Sequence, residues 1–277
     1  YTGGWRRWGR RPTALRAGRR FPMSDLDTSL IEHWKLDETS GPRVGSVSSL
    51  DLTDNNTVTA GGAKVGPITA GSAYFQEVNL EYFSRATSSS LECGDIDFTW
   101  ACWVYLTFNG QVGVNTVIYK EAQTGQRDYW LYVENATLVF AKENASGTFK
   151  AVSSGIKLPN FKWNFVVAWH DAAANTLNIQ VNGGTPVSAD MAAAGQSVGA
   201  GVGSLLMGSS GTVGQYMDGV VDSVSFWKRT LTSNERAQMY NEGNGLDYPF
   251  SPTVLFGQVV PGYQAFYRRF LAPRIST

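Results

Sequence analysis

Apolar and polar residues alternate along much of this chain of 277 residues, and a period of two predicts β-strands. The strongest run covers residues 98–108, where both alternating sets are apolar, as in a central strand covered on each side. Shorter runs are rich in β-branched and aromatic residues and end at turn-forming Gly, Asn or Asp. They cover residues 128–133, 136–140, 163–169 and 220–227. The pattern predicts an all-β sandwich.

The last of these runs shows which side chains should share a face of its strand. Strict alternation groups Asp222 with Val224 and Phe226 on one face, and Val221 with Trp227 on the other. The run is rich in β-branched and aromatic residues, which predicts a strand.

One segment carries the signals of a short helix near the C-terminus. Thr232 stands three residues before Glu235, the spacing of a capping box, and a short run with apolar residues follows. Asn241 and Gly243 then supply a stop signal. We predict a single short helix after the last strand.

Several segments occur in an order that is typical of one family. They read IEHWKLDETSG at 31–41, DFTWACWV at 97–104, WNFVVAW at 163–169, NTLNIQVNG at 175–183, SLLMG at 204–208 and DGVVDSVSFWKRTLTSNERAQMYNEGNG at 218–245. Together they resemble the laminin-G-like jelly rolls of the concanavalin A lectin/glucanase superfamily, over about residues 30–248. The resemblance implies a two-sheet antiparallel jelly roll with one short C-terminal helix. It does not imply one function, because the fold hosts lectins, hydrolases, adhesins and capsid parts.

The formal net charge is zero, but the charge is unevenly distributed. Residues 1–22 contain seven Arg and no acid, and residues 251–277 contain three Arg and no acid. Residues 30–250 contain 13 Lys and Arg against 21 Asp and Glu, a net charge of −8. Basic ends on an acidic body indicate contact arms. The predicted parts are a basic N-terminal arm (1–28), a laminin-G-like domain (29–248) and an aromatic, basic C-terminal tail (249–277).

The two arms are the predicted assembly contacts. An Arg-rich arm with few apolar residues cannot bury a core of its own, so a partner must order it. The acidic body would be repelled by a nucleic acid, so we predict an acidic protein groove on a neighbouring subunit and no nucleic-acid partner. The contact candidates are Trp5, Arg6, Arg7, Trp8, Arg10, Arg11, Arg268 and Arg269.

Aromatic residues near the middle of the chain are candidates for binding sugar rings. Trp130 and Tyr132 share one face of the strand predicted at 128–133, and Asn135 follows in the turn. Aromatic faces stack on sugars, and amides bind hydroxyl groups. The alternative, that the two rings pack in the core, stays open at this point.

The resemblance also makes calcium a candidate cofactor, since many related sandwiches bind it through loop acids. Carboxylate oxygens suit this ion, and Asp128, Asp171 and Asp218 stand at predicted strand ends. No other cofactor is expected. His33 and His170 are the two histidines, and neither has the spacing of a zinc ligand.

The sequence lacks the catalytic pattern of the superfamily's glucanases, and we predict no catalytic residues. Those enzymes place carboxylates close together on one strand as Glu-x-Asp-x-x-Glu, which does not occur here. The nearest paired acids are at 95 and 97 and at 218 and 222, and those at 95 and 97 are interpreted as solvated acids of a turn at the start of a strand. Cys93 and Cys102 could bridge or remain free thiols, and the sequence leaves both alternatives open.

Laminin-G-like domains that open with Trp-x-Leu-Asp-Glu-x-Ser-Gly are frequent in structural proteins of tailed phages. The resemblance therefore implies a non-enzymatic decoration protein of a phage head or tail, located on the virion surface or outside the cell. We expect a homo-oligomer that contacts neighbouring virion subunits and has host polysaccharide as an additional ligand. A free carbohydrate-binding module or adhesin is the alternative, and a glycoside hydrolase ranks third.

Two further expectations concern membranes. No apolar run of about 18 residues occurs, so we expect no membrane insertion. The basic N-terminus is not followed by an apolar segment of about 7–15 residues, so we expect no secretory signal.

Overall fold

The structure is a computed structural model that describes residues 25–61, 68, 71–107, 113–123, 126–143, 148–191, 203–212 and 215–250. In these ranges two antiparallel sheets, of eight and seven strands, form a sandwich with one α-helix and short 3-10 turns. The predicted all-β jelly roll is confirmed. None of the helices in the described ranges is long and apolar enough to cross a membrane.

The eight-stranded sheet is built around the strand predicted to be central. Its order is β13 (Val187–Asp190), β12 (Thr176–Val181), β11 (Trp163–Asp171), β6 (Phe98–Leu106), β15 (Gly219–Trp227), β4 (Ala73–Phe75) and β3 (Thr59–Ala60). The remaining strand, β1 (Leu30–Trp34), pairs with the second half of β15, and β4 pairs with the first half.

The seven-stranded sheet contains the hairpin that was predicted around residue 135. Its order is β10 (Phe149–Lys157), β9 (Thr137–Glu143), β8 (Gln126–Glu134), β7 (Val114–Gln123), β14 (Leu205–Met207), β5 (Tyr82–Arg85) and β2 (Thr53–Asn55). The turn between β8 and β9 is formed by Asn135 and Ala136, both with positive φ.

The inner core lies between the two sheets and is rich in aromatic rings. Trp100 stacks on Phe226 with ring centroids 4.3 Å apart and on Trp34 at 6.2 Å, and all three side chains are fully buried. The other face of β6 is also covered, since Trp103 belongs to a second apolar cluster on the outside of the eight-stranded sheet. The predicted two-sided burial of β6 is confirmed.

A β-bulge in β15 changes the faces predicted from strict alternation. Asp222 pairs with Trp103, but the next pair on the same ladder is Ser225 with Ala101. The extra residue is accommodated by Ser223, whose φ is +48°. As a result, Val221 and Val224 both point into the inner core, and the prediction that placed them on opposite faces is wrong.

Both cysteines are buried free thiols, so the unbridged alternative is the one observed. Burial raises the pKa of the Cys102 thiol to about 12 and that of Cys93 well above its usual value. At neutral pH both side chains therefore behave as small apolar residues.

The helix, α1 (Ser233–Tyr240), begins at the predicted capping box. The Thr232 side chain accepts a hydrogen bond from the Glu235 amide, and the Glu235 carboxylate accepts one from the Thr232 amide at 2.7 Å. The helix ends at Asn241, which adopts a left-handed conformation. Tyr240 packs on Trp103 at 6.1 Å, so the helix covers the outside of the eight-stranded sheet.

The first and last described segments meet on that same outer face. The Trp227 indole donates a hydrogen bond of 2.7 Å to the Leu26 carbonyl, and the Phe250 ring stacks on Trp227 at 6.0 Å. Packed residues therefore reach from Leu26 to Phe250, while the domain boundaries at 29 and 248 stay predictions. The two ends of the described body therefore lie side by side.

His33 is buried where the C-terminal segment crosses the sheet. Its Nδ1 lies 2.7 Å from the Ser225 hydroxyl, and its ring stacks on Tyr248 at 5.4 Å. Burial, with a smaller contribution from Lys35, lowers the pKa of His33 to about 3. The imidazole is therefore neutral at neutral pH.

This buried histidine predicts a loss of stability in acid. Below its ordinary pKa of 6.5 the unfolded chain binds a proton on His33, whereas the folded chain does so only near pH 3. The free energy of unfolding should then fall by up to about 1.4 kcal/mol per pH unit in this window because of His33 alone. Urea denaturation of the wild type and of His33→Gln between about pH 6 and pH 4 measures the difference in slope. Parallel pH profiles would contradict the assignment.

Candidate functional site

An aromatic surface lies on the outside of the seven-stranded sheet. Leu131 points into the inner core, so Trp130 and Tyr132 point outward, with their ring centroids 4.3 Å apart. Tyr119 meets Trp130 edge-on at 5.9 Å. We call this surface the outer aromatic patch. It consists of Tyr119, Arg127, Trp130, Tyr132 and Phe149.

The patch has a supporting layer and an accessible layer. Trp130 and Tyr132 are each only 6% exposed, whereas Phe149 is 41% exposed. The Arg127 guanidinium lies over the Trp130 ring at 5.2 Å and over the Phe149 ring at 5.5 Å. A ligand would therefore meet Phe149 and Arg127 first, with Trp130 and Tyr132 behind them.

Polar groups fix the accessible layer in place. The Arg127 side chain forms an ion pair with Glu143, and its amide donates to the same carboxylate at 3.2 Å. The Tyr119 hydroxyl donates to Glu121 at 3.1 Å. Burial and then Glu121 raise the pKa of Tyr119, so its hydroxyl remains a donor at neutral pH. The patch thus combines apolar ring faces with an arginine and carboxylates that can bind hydroxyl groups.

Burial also affects the second predicted sugar-binding aromatic. It raises the pKa of Tyr132 to about 12, with Glu134 as the next cause. The structure does not bring Asn135 to Trp130. Asn135 lies in the turn at the end of the sheet, about 16 Å along the strand from Trp130. The sugar-binding role of the three residues stays a prediction.

Three members of the patch were not among the residues singled out from the sequence. Tyr119 and Phe149 lie on different strands from Trp130. Arg127 lies three residues before Trp130 on β8, where the register with β7 is irregular, so strict alternation would have placed the two on opposite faces. Cross-strand neighbours depend on register, which alternation within a single strand does not reveal.

Asp128, the first calcium candidate, is fully buried. One of its oxygens pairs with the Lys142 ammonium at 3.1 Å, and the other accepts a hydrogen bond from the Cys93 amide at 3.0 Å. Lys142 is also fully buried, and its ammonium lies 5.3 Å from the Phe98 ring. Asp128 thus connects β8 to β9 and to the loop before β6.

The other two calcium candidates lie elsewhere. Asp171 ends β11 and accepts a hydrogen bond from the Ala174 amide at 2.8 Å, and Asp218 accepts one from the Thr107 hydroxyl at 3.1 Å. The described part of the chain holds no group of three or more His, Cys, Asp or Glu side chains suited to a metal ion. The calcium sites stay predictions.

The predicted assembly contacts lie outside the described residues. These are Trp5, Arg6, Arg7, Trp8, Arg10, Arg11, Arg268 and Arg269.

A comparison with protein families gives a clear match. The profile described as the concanavalin A-like lectin/glucanases superfamily matches residues 81–235, more than half of the chain. The chain belongs to this superfamily. The matched segment contains every residue of the outer aromatic patch, so the patch lies on the superfamily's common framework. A search of curated protein sequences found no match.

The solved structures to which this chain is similar include binding domains of two other proteins. The binding domain of Paraclostridial mosquitocidal protein 1 has a TM-score of 0.64 at 10% identity, over 78% of this chain and 52% of that one. The botulinum neurotoxin serotype G binding domain has a TM-score of 0.58 at 14% identity, over 76% and 50%.

A structure of botulinum neurotoxin type C, described as dependent on two ganglioside molecules for cell entry, has a TM-score of 0.59 at 10% identity, over 79% and 53%. The superfamily member described here therefore spans about half the length of the toxin domains it matches. At these identities the likeness shows the fold alone.

The buried Asp128–Lys142 pair generates a stability prediction. Lys142→Met removes the cation that pairs with Asp128 and leaves the buried Lys120 as the other cation that interacts with this carboxylate, so it should cost up to about 3–5 kcal/mol of unfolding free energy. Asp128→Asn combined with Lys142→Met removes the carboxylate charge and retains an acceptor for the Cys93 amide, so it should recover part of that loss. Urea denaturation gives both values, and Lys157→Met, at an exposed position, is the control. A double variant as unstable as the single one would contradict this account.

Proposed function

We propose that the chain is a non-enzymatic glycan-binding domain displayed by a virion or another surface assembly, with the outer aromatic patch as its binding face. The observation that carries the proposal is the accessible layer of the patch. The exposed Phe149 ring lies beside the Arg127 guanidinium, and both rest on Trp130.

The chemistry of the patch suits a sugar. The C–H face of a pyranose packs on an aromatic ring, while its hydroxyl groups need donors and acceptors at the rim. Phe149 supplies the ring, Arg127 supplies donors, and Glu121 supplies an acceptor beside the Tyr119 hydroxyl. Sites of this kind combine apolar walls with a few placed polar groups.

The carboxylates of the patch support binding without hydrolysis. Glycoside hydrolases use a pair of carboxyl groups about 5–10 Å apart, one of which transfers a proton. Here both oxygens of Glu143 accept hydrogen bonds from Arg127, and Glu121 accepts one from Tyr119. Through these contacts Glu143 holds Arg127 in place, and Glu121 holds Tyr119 in place. Two solved structures of the same fold are likewise described as binding domains.

The flanking segments are the proposed anchors. The described ends to which they are attached lie next to Trp227, on the outside of the eight-stranded sheet, whereas the patch lies on the outside of the other sheet. These segments are rich in Arg, whereas the body (residues 30–250) carries a net charge of −8. Anchoring on one side would leave the patch directed away from the assembly. The proposed partners are neighbouring virion subunits and copies of the chain itself, and the proposed location is the virion surface or the outside of the cell.

A free carbohydrate-binding module or adhesin is the second candidate. The observation that favours it is that residues 25–30 and 246–250 of the described body pack on the outside of its own eight-stranded sheet. If a body of residues 25–250 is incorporated into particles as efficiently as the full chain, that result would support this candidate. It would also remove the anchoring role of the segments.

Binding to immobilised glycans tests the proposal. The wild type should bind a subset of host-surface polysaccharides on a glycan array, and Phe149→Ala with Arg127→Ala should weaken binding at least about tenfold, the loss of one central contact. Phe161→Ala is the matched control, because Phe161 is 55% exposed and precedes β11 in the other sheet. The array is read with and without EDTA. Because the patch would bind through rings and Arg127, its binding should persist in EDTA.

Two outcomes would contradict the proposal. One is the absence of binding to every glycan, and the other is binding that Phe149→Ala and Arg127→Ala leave unchanged.

A further inference from the structure

The last five described residues, 246–250, lie as a short strap on the outside of the eight-stranded sheet. The chain enters the strap at Gly245, whose amide donates to the Tyr240 carbonyl at 3.1 Å. Beyond that point, in the ranges that the structure describes, none of the five residues makes a backbone hydrogen bond. Two of their side chains are exposed and three are half-buried. The C-terminal strap (residues 246–250) is therefore held by side-chain contacts alone.

The aromatic contacts of the strap converge on one histidine. Tyr248 stacks on the His33 ring at 5.4 Å, and Phe250 meets the same ring edge-on at 5.7 Å. Phe250 also stacks on Trp227 at 6.0 Å. Because both rings of the strap cover His33, this side chain is fully buried while the strap is closed.

The closed strap does not accommodate a charged imidazole. The Nδ1 atom of His33 lies 2.7 Å from the Ser225 hydroxyl, and the buried Nε2 atom has no hydrogen-bond partner among the described residues. A protonated imidazole carries an N–H on each nitrogen, so the Nε2–H would be buried without an acceptor. A buried charge that lacks a hydrogen-bond partner is costly, and opening the strap would give Nε2 access to water.

The charged groups of the surrounding elements do not stabilise the protonated ring. Glu32 of β1 accepts hydrogen bonds from backbone amides, Asp222 of β15 accepts one from a serine hydroxyl, and Asp247 of the strap pairs with the Lys35 ammonium at 3.2 Å. In the described ranges, none of these groups contacts a ring nitrogen of His33. Burial, followed by Lys35, lowers the pKa of His33 to about 3.

We propose that residues 246–250 are an acid-released strap, which is closed while His33 is neutral and opens when His33 takes up a proton. Opening exposes the sheet surface around Trp227. The strap also joins the body to residues 251–277, so its release adds five residues, up to about 17 Å, to that connection. The proposal concerns a different face and different residues from the outer aromatic patch, and it does not depend on glycan binding.

The expected size of the effect follows from the two protonation equilibria of His33. With the strap open, its pKa should approach the ordinary value of 6.5, whereas with the strap closed it is about 3. The advantage of the closed form is therefore complete above pH 6.5 and is lost as the pH falls. The ratio of open to closed strap should rise by up to about 25-fold between pH 7 and pH 5. A chain end with few contacts opens at a lower free energy than the core, so the body should stay folded.

Nuclear magnetic resonance of the full chain between about pH 7 and pH 4 tests the proposal. Long-range proton–nitrogen spectra of the imidazole rings measure the protonation of His33. The Trp227 indole N–H reports the state of the strap, because Phe250 stacks on this ring. The Trp34 indole N–H reports the inner core, where it donates to the Leu50 carbonyl at 2.7 Å.

Four variants separate the contributions. Tyr248→Ala with Phe250→Ala, the strap variant, gives the signals of the open form and retains His33, so it stands as a test even where His33→Gln fails to fold. His33→Gln removes the titrating group, and Asp247→Asn removes the ion pair with Lys35. His170→Gln is the matched control, because burial also lowers the pKa of His170, which is bound to the Ile96 carbonyl and not to the strap.

In the wild type, we expect His33 to titrate with a midpoint between about pH 4 and pH 6, above its buried value because opening relieves the burial. The Trp227 signal should move with the same midpoint toward its position in the strap variant, while the Trp34 signal stays unchanged. The strap variant should raise the pKa of His33 by at least about one unit. His33→Gln should abolish the movement of the Trp227 signal, whereas His170→Gln and Asp247→Asn should retain it.

Four results would overturn the proposal. The first is a Trp227 signal that stays constant down to pH 4, and the second is one that titrates in His33→Gln as it does in the wild type. The third is a Trp34 signal that changes at the same midpoint, because the body would then unfold as a whole. The fourth is a pKa of His33 that the strap variant leaves unchanged, because the strap would then not be what buries the ring.

Discussion

Two-sided burial of β6 and β15 is the constraint on which the rest of the structure depends. Every residue of β15 is buried, and β6 carries large apolar side chains on both faces. One face packs in the sandwich, so the other requires a cover. The helix α1, residues 25–30 and residues 246–250 supply that cover. Their cost in conformational entropy is offset by the apolar area that they remove from water.

This cover decides which surfaces remain for ligands. The sheet surface around Trp227 and Trp103 is covered by other segments of the chain itself. The outer aromatic patch lies on the other sheet, on the opposite side of the sandwich from this cover. A domain fixed through the flanking segments would present the patch outward.

Much of the fold could be predicted from the sequence, because its signals are local. The apolar run of β6 and the capping box at Thr232 each follow from residues close together in the chain, and both are observed. The β-bulge at Ser223 could not be predicted, since Ser does not favour a positive φ and the partner strand imposes it. Such a single inserted residue reverses the alternation of everything after it.

The candidate sites were less predictable than the fold for a related reason. Trp130 and Tyr132 are two apart on one strand, so the sequence identified them, but the contacts of Trp130 with Arg127 and Phe149 were not evident from the sequence. Asp128 looked like a loop acid, and its buried pairing with Lys142 depends on the register of β8 with β9. Cross-strand contacts of this kind follow from tertiary packing and not from local pattern.

The central claim is that sugars bind on the outer aromatic patch and not in the inner core or at the turns. Nuclear magnetic resonance of the indole N–H groups tests it most directly, because the nine Trp residues report from different layers. On titration with a glycan that the array identifies, the account predicts a shift of the Trp130 signal, while the signals of the core residues Trp34 and Trp100 stay unchanged. A bound sugar that leaves Trp130 unshifted and perturbs only amides at the turns would contradict it.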